Sequence, residues 1–350
     1  SVGVCDVSTL GKIDIQGPDA ATLLDRVYVN KFSTLKVGRA RYGLMLREDG
    51  FAMDDGTTAR LGEHHFIMTT TTANAGKVMQ HLEFCRQVLW PELDVKLVSV
   101  SDHWAQYALA GPRSRDVLAK LVDAPFDISN EGFPRMGAGE LTICGGVPAR
   151  LFRVSFSGEM AYEIAVPARY GDATIRALMQ AGAEFDITPY GTEALNVLRI
   201  EKGHVSGAEI TGHVTARDLG LAGMVTADKD CIGKVLAQRP ALLNPARPIV
   251  VGVKTVDPKQ SLTAGSHFIP VGADAVTAND EGYLTSVAFS PALGQDIGIG
   301  FLARGRERIG ERIRAVDLLR GHDVECIVCS PVFYDPEGTQ NAREIQIWPV

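Results

Sequence analysis

The sequence predicts an α+β fold followed by an all-β C-terminal region, and three observations carry that prediction. Through the first two thirds, strand-like alternation and helix-like apolar repeats trade places. A Pro-containing linker, Asn244–Pro248, then ends that succession. Beyond it, short apolar segments separated by Gly and Pro turns fill the last ~100 residues, the pattern of a small β-barrel. The expected division is 1–245, two intertwined α+β lobes, and 246–350, a barrel.

The elements follow in chain order. Val4–Leu10 reads as a strand, and Gly11–Gly17 alternates through Lys12-Ile13-Asp14-Ile15 before Pro18 opens a helix over Asp19–Tyr28. Residues 41–57 hold an alternating strand, a Glu48-Asp49-Gly50 turn and a second strand carrying Asp54 and Asp55. His65–Thr71 reads as a strand, Ala73–Gln87 as a helix and Asp94–Val100 as a strand. Tyr107-Ala108-Leu109-Ala110-Gly111-Pro112 leads into a helix over Arg113–Val122, with Val117, Leu118 and Leu121 on one face. Gly111-Pro112-Arg113 echoes Gly17-Pro18-Asp19, so two related α+β units are expected. Strands near Glu140–Cys144, Ala149–Phe156 and Ala161–Val166, with helices near Tyr170–Gly182 and Thr192–Glu201, complete this part. The barrel strands are Ile249–Lys254, Gly282–Phe289, Ile297–Leu302, Arg312–Val316 and Asp323–Val328.

Composition narrows the function. A chain of 350 residues, 45% hydrophobic and 22% charged, is of the soluble globular class and long enough for two or three cores. No apolar run reaches the roughly 18 residues of a membrane span. The net charge of −7 is spread without a basic stripe, which disfavours nucleic-acid binding. Six scattered cysteines with no signal peptide before them suit a reducing cytoplasm. Cys326 and Cys329 are spaced like a metal or redox pair, but lack the further ligands zinc requires and read as buried thiols. Ser1 in place of Met is expected of a cropped longer protein or a processed start.

Several chemistries lack their mechanical parts. Gly137-Ala138-Gly139 runs into a strand rather than the helix whose N-terminus holds a pyrophosphate. Phosphate-loop, nucleophile-elbow and zinc-helix motifs are missing as well. The neighbours His64 and His65 suit a solvated loop or strand start, and His204 sits beyond a helix C-terminus, where the dipole favours a cation.

Acidic residues are more informative. Adjacent side chains on a strand face opposite ways, so only one of Asp54 and Asp55 can enter a given site. Glu163 stands among apolar neighbours after the Ser157-Gly158 turn, and Glu201 closes Leu198-Arg199-Ile200-Glu201. A buried carboxylate needs a donor, a cation or a ligand, and Arg199 is a candidate structural partner for Glu201.

Cys5-Asp6-Val7-Ser8, Met53-Asp54-Asp55, Ala110-Gly111-Pro112, Phe156-Ser157-Gly158-Glu159 through Tyr162-Glu163-Ile164, and Leu198-Arg199-Ile200-Glu201-Lys202-Gly203 occur in that order. In these segments the chain resembles the folate-dependent aminomethyltransferases, the T-protein family of glycine cleavage. Through Tyr42-Gly43-Leu44-Met45-Leu46-Arg47-Glu48-Asp49-Gly50 and Pro189-Tyr190-Gly191-Thr192-Glu193-Ala194-Leu195 it is more similar to the C-terminal folate domain of heterotetrameric sarcosine oxidase α subunits.

The resemblance implies a three-lobed cloverleaf with tetrahydrofolate in its central opening. It implies a catalytic role for Asp55, aromatic pterin contacts from Tyr42 and Phe156, and cofactor-binding roles for Glu163 and Glu201. It further implies formation of 5,10-methylenetetrahydrofolate from an imine or formaldehyde produced by sarcosine oxidation. Flavin and NAD would belong to partner domains or flavoprotein subunits of a hetero-oligomer, not to this chain. Stand-alone aminomethyltransferase or demethylase activity and a non-catalytic folate-binding scaffold are the alternatives. Three departures favour the oxidase branch over glycine cleavage: Phe156 replaces the family's Tyr, Leu195 its Arg and Gly223 its Trp.

Overall fold

A computed structural model describes residues 1–342. The tail residue Trp348 lies outside them. The chain begins with β1 (Gly3–Asp6), β2 (Gly11–Gln16) and helix α1 (Ala20–Val27). A hairpin of β3 (Arg39–Leu46) and β4 (Ala52–Gly62), then β5 (His65–Thr70), α2 (Ala75–Phe84) and β6 (Lys96–Ser99), build a five-stranded sheet of order β3-β4-β5-β2-β6. There follow β7 (Trp104–Ala110), α3 (Ser114–Ala119), β8 (Ala138–Ile143), β9 (Val147–Phe152), β10 (Ala161–Pro167), α4 (Gly171–Gly182), β11 (Thr188–Pro189) and α5 (Thr192–Lys202). With β1 they form a six-stranded sheet of order β11-β1-β7-β10-β9-β8. Because β1 belongs to this second sheet, the two lobes are intertwined.

The C-terminal strands are β12 (Pro248–Thr255), β13 (His267–Pro270), β14 (Gly282–Ser290), β15 (Gln295–Ala303), β16 (Arg312–Asp317) and β17 (His322–Cys329). They close into a barrel in the order β12-β15-β14-β13-β16-β17.

Local sequence explains most of these elements. Helix α1 turns Ala20, Leu23, Leu24 and Val27 into a core with Ile13, Ile15, Phe66 and Met68 of the first sheet. Gly17 and Gly111 both adopt positive φ, at 139° and 119°, and a Cβ on either would collide with backbone of a neighbouring segment. The echoed Gly-Pro turns thus make the same strand-to-helix junction in each lobe.

Three expectations need correction. The first strand ends at Asp6 rather than Leu10, because Asp6 accepts the Ser8 N–H at 2.9 Å and Leu10 N–H turns back to Val7 O. The barrel has six strands rather than five, since β13, four residues with two fully buried, is too short to show periodicity. Arg199 does not pair with Glu201. Two residues apart on α5, they face different ways, and Arg199 instead binds Glu209 at 2.9 Å.

That pair occupies the junction of the lobes and the barrel. Arg199 is 3% exposed and Glu209 0%. Glu209 also accepts from Ser206 N–H and Oγ and from the hydroxyls of Thr285 and Ser286 on β14, while Arg199 donates to Ser286 Oγ and Asn196 Oδ1. Around it Leu44, Leu46, Ile200, Ile297, Ile299 and Phe301 form one core that draws on the first sheet, α5 and the barrel. Among the described residues no helix is long and apolar enough to cross a membrane.

Breaking the pair from one side leaves a buried charge without its counter-ion. Arg199→Met is expected to lower unfolding stability by about 3–5 kcal/mol in urea denaturation. A loss below about 1 kcal/mol would mean that water reaches Glu209.

Candidate functional site

The β3–β4 hairpin sets the first half of the site. Its register places Leu44 opposite Asp55 and Met45 opposite Asp54, so the two aspartates leave opposite faces of the sheet. Asp54 is 2% exposed and fully engaged: it accepts from Thr71 Oγ1 at 2.7 Å, Asn74 Nδ2 at 3.0 Å and Thr71 N–H at 3.3 Å. Asp55 accepts the Tyr42 hydroxyl at 2.8 Å on Oδ2, and its Oδ1 is buried without a hydrogen-bond partner among the described residues. Burial pushes the Asp55 carboxyl up to about 6; the Tyr42 hydrogen bond opposes this, and the charges of Asp54 and Glu209 add to it. Burial and Asp55 together keep the Tyr42 hydroxyl protonated.

The second half comes from the facing sheet. Ala40 and Ala59 pack against Ala138, Phe152, Val154 and Ala165, which identifies the faces the two sheets turn toward each other. Tyr42 shares the face of Ala40, Asp55 that of Ala59, and Glu163 that of Ala165. Strand alternation therefore turns both Asp55 and Glu163 to the side where the two sheets face each other. Glu163 Oε2 accepts from Gln106 Nε2 at 2.5 Å. Burial pushes its carboxyl up to about 7, against the Gln106 hydrogen bond and the charge of Lys12. Lys12, 2% exposed, anchors its ammonium on the carbonyls of Ser8 and Leu10 at 2.9 and 3.0 Å. A shallow opening is lined by Lys12, Thr69, Trp104, Gln106, Arg150 and Phe152, and its lining includes neither Asp55 nor Glu163.

Phe156 and Glu201 lie elsewhere. The exposed Phe156 ring stacks on His204 at 5.7 Å, and His204 Nδ1 donates to Phe156 O at 2.9 Å. Glu201 accepts from Ser290 Oγ at 2.5 Å and lines a second opening with Ser157, Gly158, Lys202 and Tyr334. His204 is not the helix-terminal cation expected of its position. Burial lowers its value, and Lys202, Arg135 and Arg199 further disfavour its charge. His65 pairs with Asp14 at 3.1 Å.

All six cysteines are free, and burial pushes Cys326 up to about 12 and Cys329 up to about 11. Among the described residues no group of His, Cys, Asp and Glu could hold a metal ion.

Comparison with known proteins agrees with the geometry. The GCVT N-terminal domain matches residues 1–229, and the glycine cleavage T-protein C-terminal barrel domain matches residues 250–335. The chain belongs to the glycine cleavage T-protein family. An aminomethyltransferase of Streptomyces coelicolor is 30% identical over 95% of the chain and 86% of its own length. The aminomethyltransferase T of the Bartonella henselae glycine cleavage system superposes with a TM-score of 0.82 at 24% identity, over 96% of the chain and 87% of that structure. The three-lobed aminomethyltransferase fold of this T-protein relative is thereby established. A sarcosine oxidase subunit alpha of Rhizobium meliloti is 54% identical over 97% of the chain. The chain spans about a third of that relative's length, 34%.

Sequence reasoning missed Lys12, Gln106 and Glu209. The first was legible only as one member of an alternating strand, and the others gain meaning from partners 57 and 10 residues away, Glu163 and Arg199.

Asp55 makes a pH-dependent contribution to stability. A carboxyl raised from 3.8 to about 6 on folding holds its proton more tightly in the folded state, so stability falls as pH rises through that interval and stays low above it. The ligand-free Asp55→Asn variant lacks this loss. Its stability relative to the parent protein should climb between about pH 4 and 6 and then level off in urea denaturation. A difference that stays flat would show Asp55 to be solvated.

Proposed function

We propose that this chain binds tetrahydrofolate between its two sheets and promotes transfer of a one-carbon unit at the formaldehyde oxidation level, yielding 5,10-methylenetetrahydrofolate. The observation that carries this reading is the Asp55 carboxylate, buried with Oδ1 unpaired among the described residues and turned, like Glu163, to the side where the sheets face each other. The residues fit the group. A pterin is flat and bears N–H donors, and the facing sides of the sheets offer the carboxylates of Asp55 and Glu163, the former with an oxygen unpaired among the described residues, and the aromatic Tyr42.

When bound, tetrahydrofolate would supply the nucleophilic nitrogens. Glu163, oriented by Gln106 and held toward its charged form by Lys12, accepts hydrogen bonds from the ring. Tyr42 orients Asp55 through Oδ2, leaving Oδ1 to face positive charge and to take up a proton. A value near 6 suits that task, because such a carboxylate is ionised at neutral pH yet basic enough to accept a proton. Glu201, which lines the second opening, and Phe156, next in sequence to its Ser157, are proposed to meet another part of the ligand.

The one-carbon donor is proposed to be an imine or formaldehyde from oxidation of sarcosine or a related N-methyl amine. Flavin and NAD chemistry is assigned to partner domains or subunits. The similarity to sarcosine oxidase alpha subunits, of which the chain spans only a third, supports this. The six free thiols support a reducing, cytoplasmic setting.

Titration with tetrahydrofolate, with and without formaldehyde, tests the reading. Micromolar binding and accelerated product formation are expected, with Asp55→Asn slowing product formation by about 10²–10⁴-fold. Asp54→Asn should chiefly lower stability, since Asp54 holds Thr71 and Asn74. Binding without acceleration would reduce the chain to a folate-binding scaffold, and absence of binding would remove folate altogether.

A further inference from the structure

We infer that Tyr190 contacts the bound ligand, its hydroxyl donating to a ring nitrogen or carbonyl oxygen across the cavity from Glu163, an assignment that rests on the folate reading above. Tyr190 directly follows β11, and its N–H donates to Val4 O at 2.9 Å, so the residue lies along the edge formed by β1. Its ring rests on Gly3. A Cβ at that glycine would stand 2.8 Å from Cδ1 and Cε1, so only glycine leaves the ring this seat.

Strand register joins this seat to Glu163. Gly3 lies opposite Ala110, Cys5 opposite Ala108, and Ala108 opposite Glu163. These residues therefore share one face of the second sheet, while Val4, Leu109, Tyr162 and Ile164 turn to the other face and its core. The side chains between Tyr190 and Glu163, Cys5 at 2% exposure and the half-buried Ala108, are small and span two strand spacings, about 10 Å. That width accommodates a bicyclic heterocycle. Gly3, Ala108 and Glu163 are each half-buried, and the first turn of α5, just beyond Tyr190, is exposed.

The hydroxyl is the second, independent observation: it is buried and has no hydrogen-bond partner among the described residues. Burial, with the charges of Cys5 and Glu163, raises Tyr190, so the hydroxyl keeps its proton and stands as a donor. A ligand presenting N–H groups to Glu163 and an acceptor on its other edge satisfies both ends of that span. A pterin has that pattern.

Tyr190→Phe removes the hydroxyl and leaves the ring on Gly3. Calorimetric titration with tetrahydrofolate should show binding weakened about tenfold, while the ligand-free variant melts at or above the parent temperature because an unsatisfied buried group is gone. Gly3→Ala, which displaces the ring, should weaken binding as well. Parent-like affinity in Tyr190→Phe, alongside weakened binding in Glu163→Gln, would overturn the role of Tyr190 and leave the folate reading standing. Failure of the parent protein itself to bind tetrahydrofolate would overturn both.

Discussion

Arg199 and Glu209 meet where the first sheet, α5 and the barrel converge, at 3% and 0% exposure. Two ions taken out of water are tolerable only if their remaining hydrogen-bonding capacity is met. Here it is met by groups from separate parts of the chain: Asn196 on α5, Ser206 in the following loop, and Thr285 and Ser286 on β14. Any shift of the barrel against α5 would strand charge or hydroxyl. The pair thus acts as a positional lock, and the core of Leu44, Ile200, Ile299 and Phe301 around it supplies the apolar part of the same constraint.

The lock reaches the candidate site electrostatically. Glu209 is fully paired, yet its charge is among the influences raising Asp55, together with burial and the adjacent Asp54. Tyr42 works in the other direction through a hydrogen bond, as does a backbone N–H. Across the gap, Glu163 is likewise raised by burial and relieved only by Gln106 and Lys12. Two carboxyls raised by burial, one of them with an unpaired oxygen among the described residues, are a stability cost that a self-contained core would remove, and such groups collect where proteins bind ligands or do chemistry. Asp54 provides the internal contrast: on the same strand, one residue away, its carboxylate is fully bonded to Thr71 and Asn74.

The second sheet divides its labour by face. One side carries Leu109, Tyr162 and Ile164 into a core completed by the helices α3 and α4. The other side is built from the small residues Gly3, Cys5, Ala108 and Ala110, with the Tyr190 ring resting on Gly3. Period-two alternation produces both surfaces from the same strands, giving a rigid support for a shallow polar site. Membership in the T-protein family is consistent with this architecture, and the sarcosine oxidase relative shows that such a unit also occurs within a much longer subunit.

The sequence by itself determined what depends on near neighbours. Alternation separated Asp54 from Asp55, Gly-Pro turns marked the two strand-to-helix junctions, and segment patterns distinguished the α+β part from the barrel. Short pieces such as β11 and β13 escaped because two or four residues carry no period. Tertiary structure alone decided partnership. Arg199 was adjacent in sequence to one acid and bonded to another, because helix geometry turns residues two apart to different sides. His204 lost the charge its helix end favours because burial outweighs a dipole. Only pairing of distant strands turned Asp55 and Glu163 to the side where the sheets face each other and left the Tyr190 hydroxyl without a partner among the described residues. Burial and long-range pairing are properties of the assembled chain, and no local pattern encodes which distant group will arrive.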